Sequence, residues 1–250
     1  MFAVHVDTVM DLRTALLPLV HMSRKADLKC SSDKLSITVV PDQFPFVVSL
    51  HLAPSFFTSF QFLPEGDEFE EYSSRFFLDL FISNLSNVPD DSITMTMFLR
   101  AHPGIAPLKF VIPSTGYLQY SALVLSPPLN IGIDQIDYRV FVAIHSYEFV
   151  LILTRLLVLT NETVRIKLTK SKVKISAQSG EVVLKPKNKQ CVIGGVTPGA
   201  TIQFEITLDP TFFFFHLTYL SRWVWLFKTV SSRSVLSFCT ELESCYLVCF

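Results

Sequence analysis

Two stretches of this chain carry the same run of elements. The first begins at FAVHV, passes through a helix-like stretch at Asp11–Met22 and ends in two short strand patterns, ADLKCSS and DKLSITVV. The second begins at YRVFVAI, passes through Glu148–Leu159 and ends in TVRIKLT and KSKVKISAQSG. Within them, Lys34-Leu35-Ser36-Ile37 has its counterpart in Lys172-Val173-Lys174-Ile175. The offset of ~137 residues lies far beyond the ~20–50 residues of a solenoid repeat. It predicts two like domains in tandem, each laying a helix across a sheet. A chain of 250 residues gives each copy enough length to bury its own core.

Half of the residues are apolar and 23 are Phe, which excludes a disordered chain. Lys and Arg number 21 against 22 Asp and Glu, so any surface for nucleic acid has to be local. The five cysteines (Cys30, Cys191, Cys239, Cys245 and Cys249) are odd in number and form no C-x-x-C pair. That argues against a zinc site or a disulfide framework and for buried thiols in a reducing compartment. The N-terminus has no basic leader ahead of an apolar core, so no signal peptide is expected. Thr211–Val230 is the most membrane-like run, but His216, Arg222 and Lys228 interrupt it. It reads as a buried or interface helix, and no membrane partner is expected. Asn161-Glu162-Thr163 matches a glycosylation sequon and reads as a turn before a strand.

Strand patterns dominate both halves, many with the apolar–polar alternation of half-buried antiparallel strands. TVRIKLTKSKVKISAQ is the clearest hairpin, with Val164, Ile166 and Leu168 on one face and Lys170-Ser171 at the turn. Helical spacing predicts helices at Val9–Met22, Ser73–Leu85, Glu148–Leu159 and Pro210–Lys228. Pro18 lies inside the first, where an unbroken helix loses ~3 kcal/mol, so a kink or a shortened helix is expected. Ser126–Asp134, with its Pro pair and Gly, reads as an extended connector. The expected organisation is therefore a domain at 1–125, a connector at 126–134 and a domain at 135–250. Glu65–Glu71 reads as a solvated acidic loop with no metal.

Catalytic motifs do not emerge. There is no G-x-S-x-G, H-E-x-x-H, P-loop or Rossmann glycine pattern, and only 8 Gly in all. The six histidines (His5, His21, His51, His102, His145 and His216) are scattered along the chain. The expectation is a protein without chemistry of its own, cofactor or metal.

Several of these segments are similar to one family. Met1-Phe2 and the first fifty residues align with it without a gap, including Leu12, Leu16, Leu19, Ala26, Ser31, Ser32 and Leu50. Gly132-Ile133 followed by Tyr138 matches its interdomain linker, and Glu148-Phe149 opens the third helix as in the family. KVKISAQSG resembles the family's GVKFSASG, and Tyr219-Leu220 followed by Ser231-Ser232 matches the fourth helix and its exit. Over nearly its whole length the chain thus resembles the proliferating cell nuclear antigen family, the eukaryotic DNA sliding clamps. That resemblance implies an α+β DNA-clamp fold of two similar domains, with antiparallel sheets outside and two helices inside each. It further implies a head-to-tail homotrimer that encircles double-stranded DNA in the nucleus without base readout. Such a ring is placed on DNA by a clamp loader. It tethers DNA polymerase and repair proteins, whose short peptides dock beneath the connector.

Carried over position by position, the resemblance implies DNA contact at Arg13, with Arg24, Lys25, Arg75, Arg155, Arg222 and Lys228 close enough in sequence to compensate for lost cations. It implies a peptide pocket of Val40, Phe44, Pro45, Val47, Ile131 and Ile133, with strand core as the alternative reading of Val40 and Val47, and a ubiquitin-accepting lysine at Lys170. The chain departs from the family at Thr14, Val20, Ile82, Leu85, Thr154, Thr218 and Trp225, where the family has basic residues. The helices at residues 76–85, 149–159 and 212–227 also look apolar on nearly every face, so an exposed stripe of Phe, Leu and Trp is expected. Weaker, more salt-sensitive DNA loading, or no DNA transit at all, is expected from the missing cations. The chain stops at Phe250 where the family continues into a tail that completes the pocket, so weaker peptide docking is expected. The alternative reading is a checkpoint-type clamp subunit or a degenerate paralogue acting as a protein-interaction scaffold.

Overall fold

The alternating patterns become sheet and the helical spacings become helices in a computed structural model that describes residues 2–7, 9–63, 71–86, 95–99, 109–111, 118–120, 136–156, 163–229, 233–241 and 243–250. The fold is α+β, with sheets whose described pairings are antiparallel and four helices among the described residues. The chain divides into two units. One comprises Met1–Val40, Ser49–Ile131 and Leu242–Ser244; the other comprises Pro41–Val48, Gly132–Glu241 and Cys245–Phe250.

The first unit runs β1 (Phe2–Val6), α1 (Val9–Val20), β2 (Lys25–Ser31), β3 (Leu35–Val39), β4 (Val47–Leu52), a 3-10 turn at Pro54–Phe56, then β5 (Ser59–Phe62) and β6 (Glu71–Phe77). It continues with α2 (Leu78–Ser86), β7 (Met95–Leu99), β8 (Lys109–Val111) and β9 (Leu118–Tyr120). Its strands are ordered β5-β1-β7-β8-β9 and β4-β3-β2-β6, the first two residues of β4 being counted with the second unit. Leu12, Leu16 and Leu19 of α1 and Leu78, Phe81 and Leu85 of α2 are buried, and the two helices pack on each other.

The second unit runs β10 (Ile136–His145), α3 (Ser146–Leu156), β11 (Thr163–Thr169), β12 (Lys172–Ala177), β13 (Gly180–Leu184), a 3-10 turn at Pro186–Asn188, then β14 (Cys191–Gly194) and β15 (Ile202–Thr207). It closes with α4 (Thr211–Leu220), β16 (Ser221–Thr229), β17 (Ser234–Thr240) and β18 (Ser244–Cys249). Its strands are ordered β14-β10-β16-β17-β18 and β13-β12-β11-β15. Each strand, helix and 3-10 turn of the first unit therefore has a counterpart at the same place in the second. Among the described residues the duplication holds throughout the topology.

The predicted hairpin forms as read. Ile166 pairs with Ile175 and Leu168 with Val173, all buried, while the residues between them face out. α1 ends at Val20, two residues short of the expected end, and Pro18 is buried in its last turn. The N–H groups of Met22 and Ser23 both reach the Leu19 carbonyl and close the helix.

Two predicted helices are shorter than their patterns. Residues 71–77 form strand β6, paired with β2 from Ser31↔Glu71 to Lys25↔Phe77, and helix begins only at Leu78. Ser74 and Phe76 point inward there while Ser73 and Phe77 face out, a period of two that tertiary pairing preferred over the helical one. Likewise α4 ends at Leu220, and the run that reads as its second half is β16, held between β10 and β17. Alternating aromatic and branched residues (Trp223, Val224, Trp225, Leu226, Phe227) suit a pleated surface. Ser221 makes the switch: its hydroxyl donates to the Leu217 carbonyl, and its own carbonyl accepts from Ser146 Oγ at 2.6 Å.

The core of the second unit is aromatic. Phe46 is 3 % exposed and lies among Phe44, Phe213, Phe214 and Phe250, with ring centroids 5.7–6.0 Å away. Phe149 meets Phe238 edge-on at 6.1 Å. No described helix is long and apolar enough to cross a membrane. Cys30 and Cys191 are buried as expected, whereas Cys239 is exposed and Cys245 and Cys249 are half-buried, because β17 and β18 turn those positions outward.

Candidate nucleic-acid interface

The residues expected to contact DNA occupy different kinds of place. Arg13 lies on α1, half-buried, and Arg155 lies exposed in the last turn of α3. Arg24 and Lys25 are exposed at the entry to β2, with Lys25 Nζ 5.6 Å from the centre of the Phe77 ring. Arg75 is on strand β6 rather than a helix and is engaged by Asp27: Nε donates to Oδ1 at 2.7 Å and the second nitrogen donates to Oδ2 at 2.9 Å. Their side chains are 21% and 11% exposed, so this bidentate pair fixes β2 against β6. The hydrogen bonds that Arg75 donates to Asp27 raise the Arg75 pKa further. Arg222 and Lys228 belong to strand β16, not to a long fourth helix; Lys228 Nζ sits 5.7 Å from the centre of the Phe204 ring.

The helices themselves are poor in positive charge. Across α1, α2, α3 and α4 there are two cations, Arg13 and Arg155, against three carboxylates, Asp11, Asp79 and Glu148. Of the positions where the family has basic residues, Leu85 and Thr218 are buried, Thr218 donating its hydroxyl to the Phe214 carbonyl. Trp225 is on a strand. The exposed stripe is mixed rather than wholly apolar: Met10, Leu17, Leu80, Tyr147, Phe212 and Tyr219 are exposed, interspersed with Ser83, Thr154 and Arg155.

Val40 follows β3 in the first unit, while Phe44, Pro45 and Val47 belong to the second. Phe44 stacks on Phe46 at 5.8 Å, Pro45 is exposed, and Val40 and Val47 are half-buried. Ile131 and Ile133, like the whole connector, lie outside the described residues. Lys170 stands exposed at the tip of the β11–β12 hairpin, where the Thr169 hydroxyl donates to the Lys172 carbonyl at 3.1 Å. Among the described residues no cluster of His, Cys, Asp and Glu has the geometry to hold a metal.

Among the described residues the densest positive charge lies outside the expected DNA-contact set. Between Arg165 and Lys189 the chain carries eight cations and one carboxylate, Glu181, and five of the cations, Lys170 among them, lie on the β11–β12 hairpin. The signal was available as a charge run within one segment. No protein-family model matches the chain, and no match is found among curated proteins.

Proposed function

We propose that this chain is a DNA sliding clamp of the proliferating cell nuclear antigen type, a ring-forming, non-enzymatic tether for polymerase and repair proteins in the nucleus. The observation that supports it is the repeated topology. Two units whose described residues give the same order of nine strands and two helices fit a ring assembled from like domains. Three such chains joined head to tail supply six domains, and docking peptides, polymerase and a clamp loader are the partners that this reading entails. Light scattering of the eluted full chain tests it. A particle of three chain masses at micromolar concentration, retained on circular but not on linear DNA, is the expected result; a monomer removes the mechanism.

The second reading, a checkpoint-type subunit or scaffold with weak DNA binding, is favoured by the excess of carboxylates over cations on the four helices. A channel walled by such helices neutralises few phosphates. Native mass spectrometry separates the readings: a homotrimer supports the first, a mixed complex with other clamp-like subunits the second.

A further inference from the structure

We propose that the outer face of the β13-β12-β11-β15 sheet is a binding surface for the phosphate backbone of duplex DNA, independent of any ring. Arg165 and Lys167 on β11 and Lys172 and Lys174 on β12 project from the face opposite the buried Ile166, Leu168, Val173 and Ile175. Lys167 and Lys174 stand directly opposite each other in the ladder, two like charges against which the structure sets one carboxylate, Glu181 on Lys174. Lys170 occupies the hairpin tip; Lys185, Lys187 and Lys189 follow β13, whose last residue Leu184 is the partner of Val173 beside Lys172. Glu205 engages Arg165 at 3.4 Å and Glu181 engages Lys174, which leaves six lysines with no ion pair among the described residues.

The occupant follows from the charge and the lack of anything to insert. A polybasic face holds a membrane stably only with an apolar anchor beside it. Here Val183 is the one large exposed hydrophobic side chain on the face, at 38 %. Phosphate neutralisation alone is sufficient for sequence-independent nucleic-acid binding. The ladder from Arg165 to Thr169 covers ~14 Å at ~3.4 Å per residue. A duplex laid along it presents about eight phosphates at one per ~1.7 Å, about half of them on the near side, so about four are neutralised.

Fluorescence anisotropy of the full chain with a labelled 20-base-pair linear duplex tests this, since a short open duplex gives a ring no topological hold. The expected slope of log K against log salt is about −3.6. K167Q/K172Q/K174Q lowers its magnitude by about two to three and weakens binding at least tenfold at 100 mM salt. R139Q/R233Q, exposed positions outside both candidate DNA surfaces, leaves both unchanged. All five positions lie on the surface or partly so, and circular dichroism of each variant excludes unfolding as the cause. The inference is overturned if the triple variant binds as the parent does, if R13Q/R155Q abolishes binding, or if phosphatidylserine vesicles are bound and the duplex is not. A monomer that binds through this face leaves the inference standing while the clamp reading fails. A trimer retained on circular DNA whose triple variant still binds the short duplex overturns the inference alone.

A separate observation carries a second site. Cys239 and Cys245 are directly paired across β17 and β18, with their sulfurs 3.2 Å apart. Opposed residues of an antiparallel pair have Cα atoms ~4.5–5.5 Å apart, within the range a disulfide spans. We infer that the two thiols form a reversible disulfide on exposure to a peroxide. The exposed Cys239 thiolate attacks the peroxide, breaking the O–O bond and releasing hydroxide that leaves as water, and becomes a sulfenic acid. The sulfur of Cys245 then attacks that of Cys239, displacing the oxygen as a second water, so two thiols and one hydrogen peroxide give one disulfide and two waters. The hydrogen bonds from Cys245 and then Ser237 hold the Cys239 pKa down at about 6 against the effect of burial, while the contact with Cys239 and then desolvation raise that of Cys245.

Peroxide treatment, alkylation and intact-mass measurement read the outcome. Two alkyl groups fewer and a loss of 2 Da are expected, with a Cys239–Cys245 link after cleavage at the intervening Glu241 and Glu243, reversed by dithiothreitol. C249A leaves this result unchanged and C245A abolishes the 2 Da loss. Full alkylation of both thiols after peroxide, or a link to Cys249 instead, overturns the inference.

Discussion

Replacing Phe46 with alanine tests the least expected feature of the fold, a residue near the start of the chain that fills the core of the second unit. The ring is 3 % exposed and meets four other phenyl rings, two stacked and two edge-on. Truncating a buried Phe costs about 3–5 kcal/mol, and lost aromatic pairings add to that end of the range. Phe44 is half-buried and free to lean into part of the space, so about 3–4 kcal/mol is the expected loss. With a urea dependence of ~1.5 kcal/mol/M, the midpoint falls by about 2 M. The assay is favourable because both tryptophans, Trp223 and Trp225, lie on β16, so tryptophan fluorescence reports the second unit alone. Leu16→Ala, in the core of the first unit, shifts the unfolding followed by circular dichroism with a much smaller effect on the tryptophan transition. If Phe46→Ala moves the tryptophan midpoint by less than about 0.5 M, the assignment of Pro41–Val48 to the second unit is wrong.

Arg75→Met costs about 2 kcal/mol by stranding the largely buried Asp27, and leaves DNA affinity unchanged; loss of binding with stability intact reverses that assignment. His51 is held neutral, its pKa lowered to about 4 by desolvation and then by Lys34. The unfolded chain therefore binds a proton that the folded chain refuses as pH falls from about 6.5 to 4. Stability drops by up to about 3 kcal/mol over that window, and His51→Gln removes this part of the pH dependence in urea midpoints taken at pH 7, 5 and 4. Gly195 has φ +72° and a Cβ there meets the Arg139 carbonyl oxygen at 1.8 Å, so Gly195→Ala costs about 2 kcal/mol or more in thermal unfolding. Ser74 Oγ is buried without a hydrogen-bond partner among the described residues, so Ser74→Ala is neutral or stabilising by up to about 1 kcal/mol.

The pairing of the two halves and the β11–β12 hairpin were legible because period and register are local properties of the sequence. The ends of α2 and α4 were not. Phe76 and Trp225 satisfy a helical period as readily as a strand period, and the choice was made by β2 and by β10 and β17, strands distant in sequence. Arg75 read as a free cation because its partner Asp27 lies 48 residues away. The lysine ladder was visible as composition, but its gathering on one face depends on register across three strands.

The loan of Pro41–Val48 from one unit to the other bears on how this gene can be taken apart. A cut within residues 126–134 separates the halves of the written repeat, yet it leaves the C-terminal fragment without the ring of Phe46 and the N-terminal fragment with that ring unhoused. The repeat in the sequence and the compact units of the fold therefore do not coincide, Pro41–Val48 being counted with the second unit and Leu242–Ser244 with the first. Either half expressed by itself inherits an aromatic hole or an aromatic orphan, and two such fragments mixed together have a reason to find each other.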